Sequence, residues 1–431
     1  MKYIPTDPNL FIQNRERLIR LMIPGSAAIL NSNDIMPTNA DGTMRYHQNS
    51  DIYYLTGINQ EETILVLWPA HPDPTMREIL FLRETSEHLV IWEGYKYTQQ
   101  EASWISGIKN VRWLSEFPSI FRHLMCEIED IYLNSNDYYR AANEVQTREM
   151  RFVIRCQEEY PLHRYHRLTR LTYQLRAIKS PIEVELIHKA CEITGRGFNR
   201  VLKNLKPNMN EAEIEADFAY EFIRNKGVFS YEPIIASGPN SCVLHYLQND
   251  KVCKEGEIVL LDVGAGYGNY MADMTRTIPV SGRFTRRQRE VYDAVLRVYH
   301  LTIGAMQPGL TIGDLRSAAE EFVEEECLKL GLFTQSELNE ESANAPLVRK
   351  YFMHGVSHSI GLDVHDAIYP LSQKIEPGWV LTCEPGIYIR EEGFGIRLEN
   401  TIYIGENGPE NLMEDIPIEA DEIEEIMNSA K

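Results

Sequence analysis

Four acidic residues form two symmetric pairs, and their spacing is the clearest sign of chemistry in this 431-residue chain. Asp262 and Asp273 lie at equal distances from a glycine-rich centre in LLDVGAGYGNYMAD, as Glu384 and Glu399 do in LTCEPGIYIREEGFGIRLEN. If each segment is a symmetric β-hairpin, the two acids of a pair face each other with Cβ atoms about 5 Å apart. Facing carboxylates repel each other, so two such pairs favour divalent metal ions, which prefer hard oxygen donors.

A histidine-rich segment supplies a second kind of candidate ligand. FMHGVSHSIGLDVHD contains His354, His358 and His365, and its interleaved glycines and lack of a helical period predict a loop and strand that line a site. The spacing leaves open which imidazole binds metal. His354 and His358 are four residues apart, but the segment lacks the glutamate and the helical character of a zinc-protease helix. His245 follows a Gly-Pro-Asn turn and, taken alone, reads as a core or surface histidine.

The alternation of side chains along a strand sorts the neighbours of these acids by face. Arg397 precedes Glu399 by two positions, so it shares that face and is expected to keep the carboxylate oriented and ionised. Cys383 points away from the face of Glu384 and is predicted to pack in the core. A turn with Asp or a cross-strand Glu pair is common without function, but the coincidence of both favours a metal site.

Composition excludes several classes of protein. A net charge of −20 disfavours nucleic acid as a partner, and no apolar run approaches the roughly 20 residues that span a bilayer. The N-terminus, MKYIPTDPNLFIQNRERL, does not resemble a secretion signal. The 7 cysteines contain no CxxC pair, so we expect reduced thiols, a cytoplasmic location and no membrane partner.

The length favours two domains, which we predict to be residues 1–176 and 177–431. The first is an α/β domain with helix 98–106 and strands predicted at 26–30, 64–68, 79–82, 88–92, 111–114 and 131–133. A connecting helix is expected over 148–176, and Ser180 with Pro181 predicts the start of the next helix. The second domain is α+β with a mostly antiparallel sheet, since helices at 182–205, 211–226, 286–306 and 312–329 alternate with hairpin segments at 257–280 and 379–404.

At these motifs the sequence resembles the pita-bread metallopeptidases, and within them aminopeptidase P and prolidase. The segment YHQNSDIYYLTGINQEETILVL is similar to their N-terminal domain, and most of 178–415 is similar to their catalytic domain. The motifs that carry this likeness are VLHY, LLDVGAGYGNYMADMTRTIPV, HGVSHSIGLDVHD, LTCEPGIYI and GIRLEN. The resemblance implies a pita-bread fold, in which a curved, mostly antiparallel sheet with pseudo-two-fold symmetry is flanked by helices.

The resemblance also assigns roles to residues. It implies two divalent ions, with Mn²⁺ as the expected metal and Co²⁺ or Zn²⁺ as alternatives, and five ligands, which are Asp262, Asp273, His358, Glu384 and Glu399. By the same resemblance Asp273 and Glu399 bridge the ions, and Glu384 is also the acid/base group. The family's substrate-handling histidines match His245, His354 and His365, and its catalytic arginine beside the bridging glutamate matches Arg397. The hairpin link between GIYI and GIR is shorter than in some aminopeptidases P, which bears on the preferred substrate length.

The implied activity is the release of an N-terminal residue from peptides with proline in second position, by attack of a metal-bridging hydroxide on the Xaa-Pro bond. The first alternative is a prolidase, which cleaves Xaa-Pro dipeptides and uses the same ligands. A more distant alternative is a pseudo-peptidase that serves as a binding module, but such proteins lose ligands and all five are present here. The resemblance further implies a homodimer or homotetramer.

Overall fold

The computed structural model describes residues 5–141, 144–342, 346–368, 370 and 372–429. The chain divides into two compact units, Pro5–Arg176 and Ala177–Lys431. Among the described residues, no helix is both long enough and apolar enough to cross a bilayer.

The N-terminal unit is built on a mixed sheet of six strands in the order β4-β3-β2-β1-β5-β6. Strands β1–β2 and β2–β3 pair antiparallel and the other neighbours pair parallel. The strands are β1 Ala27–Asn31, β2 Ile64–Leu67, β3 Glu78–Leu82, β4 Asn110–Trp113, β5 Asp130–Leu133 and β6 Arg164–Arg167. The helices are α1 Pro8–Leu21, α2 Ser50–Thr56, α3 Glu87–Glu93, α4 Gln99–Ser106, α5 Phe117–Glu127, α6 Arg148–Glu159 and α7 Thr169–Ala177.

Two sequence-based predictions in this unit are wrong. Residues 88–92 form helix α3 instead of a strand: the Ser86 hydroxyl accepts a hydrogen bond from Leu89 N at 3.2 Å and caps the helix, whose apolar side chains Val90 and Ile91 remain exposed. Residues 148–176 are interrupted by β6, which adds to the edge of the sheet beside β5. The sequence of β6, RYHR, lacks the apolar alternation by which strands are predicted. Its charged side chains instead pair with the neighbouring strand, since Arg164 forms an ion pair with Asp130 at 2.6 Å.

The C-terminal unit begins at the predicted helix start. The Ser180 hydroxyl accepts from Glu183 N at 3.4 Å, and the Glu183 carboxylate accepts from Ser180 N at 2.8 Å, which closes a capping box at the first turn of α8. The helices of this unit are α8 Pro181–Asn204, α9 Glu211–Arg224, α10 Arg286–Ala305, α11 Ile312–Lys329, α12 Gln335–Asn339, α13 Val348–Tyr351 and α14 Ala420–Ser429.

The strands of the C-terminal unit pair antiparallel throughout its small sheets, which confirms the α+β prediction for this unit. The sheet orders are β11-β10-β7, β12-β9-β8, β13-β16-β17 and β14-β15. The strands are β7 Val228–Phe229, β8 Ile234–Ser237, β9 Ile258–Asp262, β10 Ala265–Tyr267, β11 Tyr270–Met271, β12 Thr275–Pro279, β13 Val380–Cys383, β14 Gly386–Ile389, β15 Phe394–Arg397, β16 Asn400–Gly405 and β17 Gly408–Asn411.

Candidate metal centre and active site

The first acidic hairpin has a register that differs from the predicted one. Asp262 lies opposite Thr275 in the β9–β12 ladder, so Asp273 is offset from Asp262 by two positions and does not face it directly. The reason is the turn: Gly268 and Asn269 have φ angles of +59° and +66°, typical of a type I′ turn, and they move the hairpin centre one residue beyond the symmetric point. An offset of two residues preserves the strand face, so both acids still point to the same side.

The second acidic hairpin has the predicted register. Gly386 lies opposite Arg397 in one ladder and Cys383 opposite Asn400 in the next, so Glu384 and Glu399 occupy matching positions where the two ladders meet. Cys383 is fully buried, in agreement with its predicted role as a packing residue.

Thr275 joins the two hairpins. Its carbonyl accepts a hydrogen bond from Glu399 N at 3.0 Å, and its hydroxyl donates to Glu399 Oε2 at 2.7 Å. This bridge brings the first acidic pair beside the second. One ligand atom each from Asp273, His358 and Glu399 lies within 4.8 Å of the others, a spacing that could hold a metal ion.

A cavity of about 340 Å³ opens over these groups. All nine residues singled out by the sequence line it, although they come from separate segments of the chain: His245, Asp262, Asp273, His354, His358, His365, Glu384, Arg397 and Glu399. The remaining wall is mainly apolar and consists of Tyr231, Glu232, Ile234, Leu244, Leu247 and Val364. The structure thus gathers every candidate residue in one place.

Tyr231 is a site residue that sequence analysis missed. Its hydroxyl lies 2.6 Å from Asp262 Oδ1 and 2.5 Å from Asp273 Oδ1. One hydroxyl proton cannot satisfy two carboxylates, so the tyrosine orients both acids without neutralising them. Burial raises the pKa of Tyr231, and the neighbouring Asp262 and Asp273 raise it further, which keeps the hydroxyl protonated. A tyrosine after a short strand carries no local signal of this role.

Arg397 contacts a different carboxylate from the one expected. Its Nη2 lies 2.6 Å from Asp262 Oδ2, whereas its Nε donates to the Thr275 hydroxyl at 3.1 Å. Its third contact is a hydrogen bond from Nη1 to the Tyr388 hydroxyl at 2.8 Å. The guanidinium therefore forms its ion pair with Asp262. It is linked to Glu399 by hydrogen bonds through the Thr275 hydroxyl.

His354 is held as a neutral imidazole. Burial, together with the positive charge of Arg397, lowers its pKa to about 3. The Tyr388 hydroxyl accepts from Arg397 and donates to His354 Nε2 at 2.8 Å, so His354 Nδ1 carries the proton and donates to Gly355 O at 2.7 Å. This chain of hydrogen bonds fixes the ring and its tautomer.

His358 lies between two of the acids. Its Nε2 is 3.5 Å from Asp273 Oδ2 and 3.7 Å from Glu384 Oε1, while its Nδ1 donates to Ser359 O at 3.1 Å. Burial alone would lower the pKa of His358, but Asp273 and Glu384 outweigh burial and raise it to about 9. With Nδ1 committed to a carbonyl, Nε2 is the atom available to a metal ion. The ring of His365 packs edge-on against His358, with centroids 4.5 Å apart.

The electrostatics of the cavity require a cation. Burial raises the pKa of Glu384 to about 7, and burial together with Asp273 raises that of Glu399 well above its usual value. Burial also raises the pKa of Asp262 despite the nearby Arg397. The four candidate acids and Glu232 line the cavity together with one guanidinium, that of Arg397, and the imidazole of His358 lies among the acids, so acidic groups outnumber cationic ones in the described lining. Oxygen donors with a single imidazole fit divalent metal ions.

Comparison with known proteins agrees with this geometry. The model of metallopeptidase family M24 matches residues 185–406, and the model of the aminopeptidase P N-terminal domain matches residues 11–132. The chain is therefore a metallopeptidase of the pita-bread superfamily, an enzyme class that uses divalent metal. More narrowly, it belongs to the aminopeptidase P family, which confirms the resemblance and the fold expected from the sequence.

Full-length relatives support the narrower assignment. The chain is 34% identical to an Xaa-Pro aminopeptidase of Escherichia coli strain K12 over 98% of both chains, and 31% identical to human Xaa-Pro aminopeptidase 3 over 93% of this chain and 79% of that protein. It superimposes with a TM-score of 0.86 on zinc-substituted E. coli aminopeptidase P in complex with product, at 33% identity, covering 98% of this chain and 99% of the other.

Proposed function

We propose that the cavity of the C-terminal unit is the active site of an Xaa-Pro aminopeptidase that uses two divalent metal ions, with Mn²⁺ as the metal. The single observation that carries this proposal is the convergence of the four candidate carboxylates and His358 in a cavity whose described lining also includes Glu232 and has one guanidinium, that of Arg397. The proposed ligands are Asp262, Asp273, His358, Glu384 and Glu399. Asp273 and Glu399 are the residues that would be shared between the two ions by the resemblance, and in support of this, one ligand atom of each lies within 4.8 Å of the other and of His358.

The chain's own residues divide the remaining work. Bound divalent ions lower the pKa of water and polarise a scissile carbonyl. Glu384 accepts the proton of the attacking water and returns it to the leaving nitrogen. His245 or His365, both on the cavity wall, donates to the oxygen that becomes negative in the transition state. Neutral His354 and Arg397 hold Tyr388 and the acids in place, which limits reorganisation during the reaction.

The apolar wall of the cavity suits a proline ring. The nitrogen of an Xaa-Pro bond carries no hydrogen, so a peptidase that relies on that N–H loses a contact. Ile234, Leu244, Leu247 and Val364 line the cavity and offer apolar surface in its place. Peptides with proline in second position are therefore the proposed substrates.

The decisive experiment compares two substrates with the purified protein in the presence of Mn²⁺. We expect hydrolysis of Ala-Pro-Ala to exceed hydrolysis of the dipeptide Ala-Pro, because full-length relatives are aminopeptidases. Cleavage of the dipeptide alone would instead identify a prolidase. Metal bound without hydrolysis of either peptide would favour the pseudo-peptidase alternative.

Two further properties belong to this proposal. The seven cysteines are all free thiols, six of them buried, which supports a reducing compartment such as the cytoplasm. Assembly as a homodimer or homotetramer is proposed from the resemblance, and light scattering of the purified protein tests it. Neither nucleic acid nor a membrane is proposed as a partner, since the net charge is −20.

A further inference from the structure

A second cavity of about 360 Å³ borders the active site. It is lined by Pro239, Cys242, Val243, Leu244 and Arg390, so a single guanidinium faces an otherwise apolar wall. Leu244 lines this cavity and the active-site cavity as well, and the next residue along the chain, His245, lines the active site. The two cavities are therefore neighbours on either side of one leucine.

The walls of the second cavity are tied together. One wall is the turn Gly238–Cys242, and the other carries Arg390 in the turn between β14 and β15. Gly395 N donates to the Ser241 hydroxyl at 2.8 Å, which joins this hairpin to the turn. Gly393 has a φ of +72° and lies against Pro239, where an added Cβ would be 3.6 Å from the proline Cγ. The cavity is thus held between two connected pieces of backbone.

Arg390 has no ion-pair partner among the described residues of its own hairpin turn. The two acids that follow it have other partners: Glu391 pairs with Lys350 at 2.6 Å, and Glu392 pairs with Arg287 at 2.7 Å. Arg390 forms no ion pair with any residue that the structure describes. An arginine without an ion-pair partner beside an apolar cavity fits a ligand that ends in a carboxylate.

We propose that this second cavity is the subsite for the part of a peptide substrate that follows proline, and that Arg390 binds the free carboxylate at its end. The inference rests on the proposed function. Only the carboxyl side of such a substrate extends beyond the catalytic groups, because the other side ends in one residue with a free amine. That amine is positively charged, and a guanidinium would repel it.

The subsite gives a physical reason for a preference in substrate length. In a dipeptide the carboxylate belongs to proline itself and stays in the active-site cavity. Each added residue extends the chain by about 3.3–3.6 Å, which carries the carboxylate away from the catalytic groups and towards Arg390. The short link between β14 and β15, which spans residues 390–393, places this arginine at the edge of the second cavity.

The test measures kcat/KM for Ala-Pro-Ala and for its C-terminal amide, with the wild type and with Arg390→Gln, in the presence of Mn²⁺. We expect the wild type to prefer the free acid about three- to fivefold, the size of an exposed ion pair, with the difference in KM. Arg390→Gln should cleave both peptides equally, at the wild-type rate for the amide.

A matched control is Arg286→Gln, which removes the same charge from an arginine whose side chain is 95% exposed and pairs with Glu290. This variant lines neither cavity and should keep the preference for the free acid. If Arg390→Gln retains the wild-type ratio of acid to amide, or if both variants lose it equally, the subsite is overturned while the proposed function stands. A wild type that cleaves neither peptide overturns both proposals.

Discussion

Two buried polar clusters, one in each unit, differ in how their charges are balanced. In the N-terminal unit Asp51 pairs with Arg176 at 2.8 Å and accepts from Asn134 Nδ2 at 3.1 Å, so its charge has partners within the cluster. In the C-terminal unit the described ion-pair partners of Asp262, Asp273, Glu384 and Glu399 are the guanidinium of Arg397 and, when protonated, the imidazoles of His354 and His358, so the acids outnumber the cations. A buried charge with internal partners has its desolvation cost offset within the fold, whereas one without them needs a proton or a bound cation.

Lys179 and Asp366 show that the C-terminal unit also contains a balanced pair. Their charged atoms lie 3.2 Å apart and both side chains are 1% exposed. Lys179 Nζ also donates to the Ser359 hydroxyl at 3.3 Å, and Asp366 N donates to Ser359 O at 2.8 Å. Because Ser359 follows His358 and Asp366 follows His365, this pair fixes the loop that presents two histidines to the cavity.

The largest expected effect comes from removing one unbalanced carboxylate. Glu399→Gln keeps the size of the side chain but removes a proposed bridging ligand, so we expect kcat/KM for Ala-Pro-Ala to fall at least about 10³-fold. Elemental analysis should find fewer than two metal ions per chain. The metal-free variant should melt above the metal-free wild type, because one repelling charge is gone.

Glu410→Gln is the control for this change, since Glu410 is exposed on β17 in the same unit. It should bind metal and turn over as the wild type does. Two metal ions and normal turnover in Glu399→Gln would show that the assignment of the metal centre is wrong.

The two buried ion pairs, Lys179–Asp366 and Arg176–Asp51, can be compared by replacing the basic residue of each with methionine, in Lys179→Met and Arg176→Met. Each leaves a buried aspartate without its partner and should lower the free energy of unfolding by about 3 kcal/mol, as measured by urea denaturation. Only Lys179→Met should also lower kcat of the folded enzyme, since only that pair holds the loop of His358 and His365. Equal kcat in both variants, well below their melting temperatures, would refute a positioning role for Lys179.

Glu149 is a further buried acid of the N-terminal unit, and its protonation can be tested through pH. Its carboxylate accepts from Asn31 N at 2.7 Å and from Asn31 Nδ2 at 2.9 Å, yet burial raises its pKa to about 8. Glu149 therefore binds a proton more tightly in the folded state than in the unfolded state. This contribution to the free energy of unfolding is fully present below the unfolded pKa of about 4.3, and it is lost as the pH rises towards about 8.

We expect the wild type to lose about 2 kcal/mol of unfolding free energy, relative to Glu149→Gln, between about pH 5 and about pH 7. Denaturation of both proteins across this range measures the difference. Parallel pH profiles for the two proteins would show that Glu149 stays ionised in the fold, as its two donors from Asn31 alone would favour.

The smallest effect is expected at Tyr231. Tyr231→Phe removes the hydroxyl shared by Asp262 and Asp273 and should weaken metal binding about tenfold, which is the lower end for a group that orients ligands. Competition with a chelator measures the affinity. The control is Tyr220→Phe, at a half-exposed tyrosine outside the cavity, which should bind metal as the wild type does. An unchanged metal affinity in Tyr231→Phe would show that Tyr231 does not orient the metal ligands.

Local pattern was sufficient for much of the second unit. The capping residues at Ser180 and Pro181 marked the start of α8, and the spacing of Glu384 and Glu399 predicted their matching positions. Local pattern failed where a neighbouring strand or a turn decided the outcome. The charged strand β6 exists because it adds to the sheet beside β5, and the φ angles of Gly268 and Asn269 move Asp273 by two positions from its predicted partner.

The sequence by itself determined which donor atoms exist and which strand face carries them, because the alternation of side chains is a local property of a β-strand. Tertiary structure alone decided that the two acidic hairpins meet at Thr275 and Glu399, and that Arg397 forms its ion pair with Asp262. It also brought Tyr231 and Tyr388 among the site residues. Distances between segments far apart in the chain depend on how whole elements pack, and no spacing within one segment contains that information.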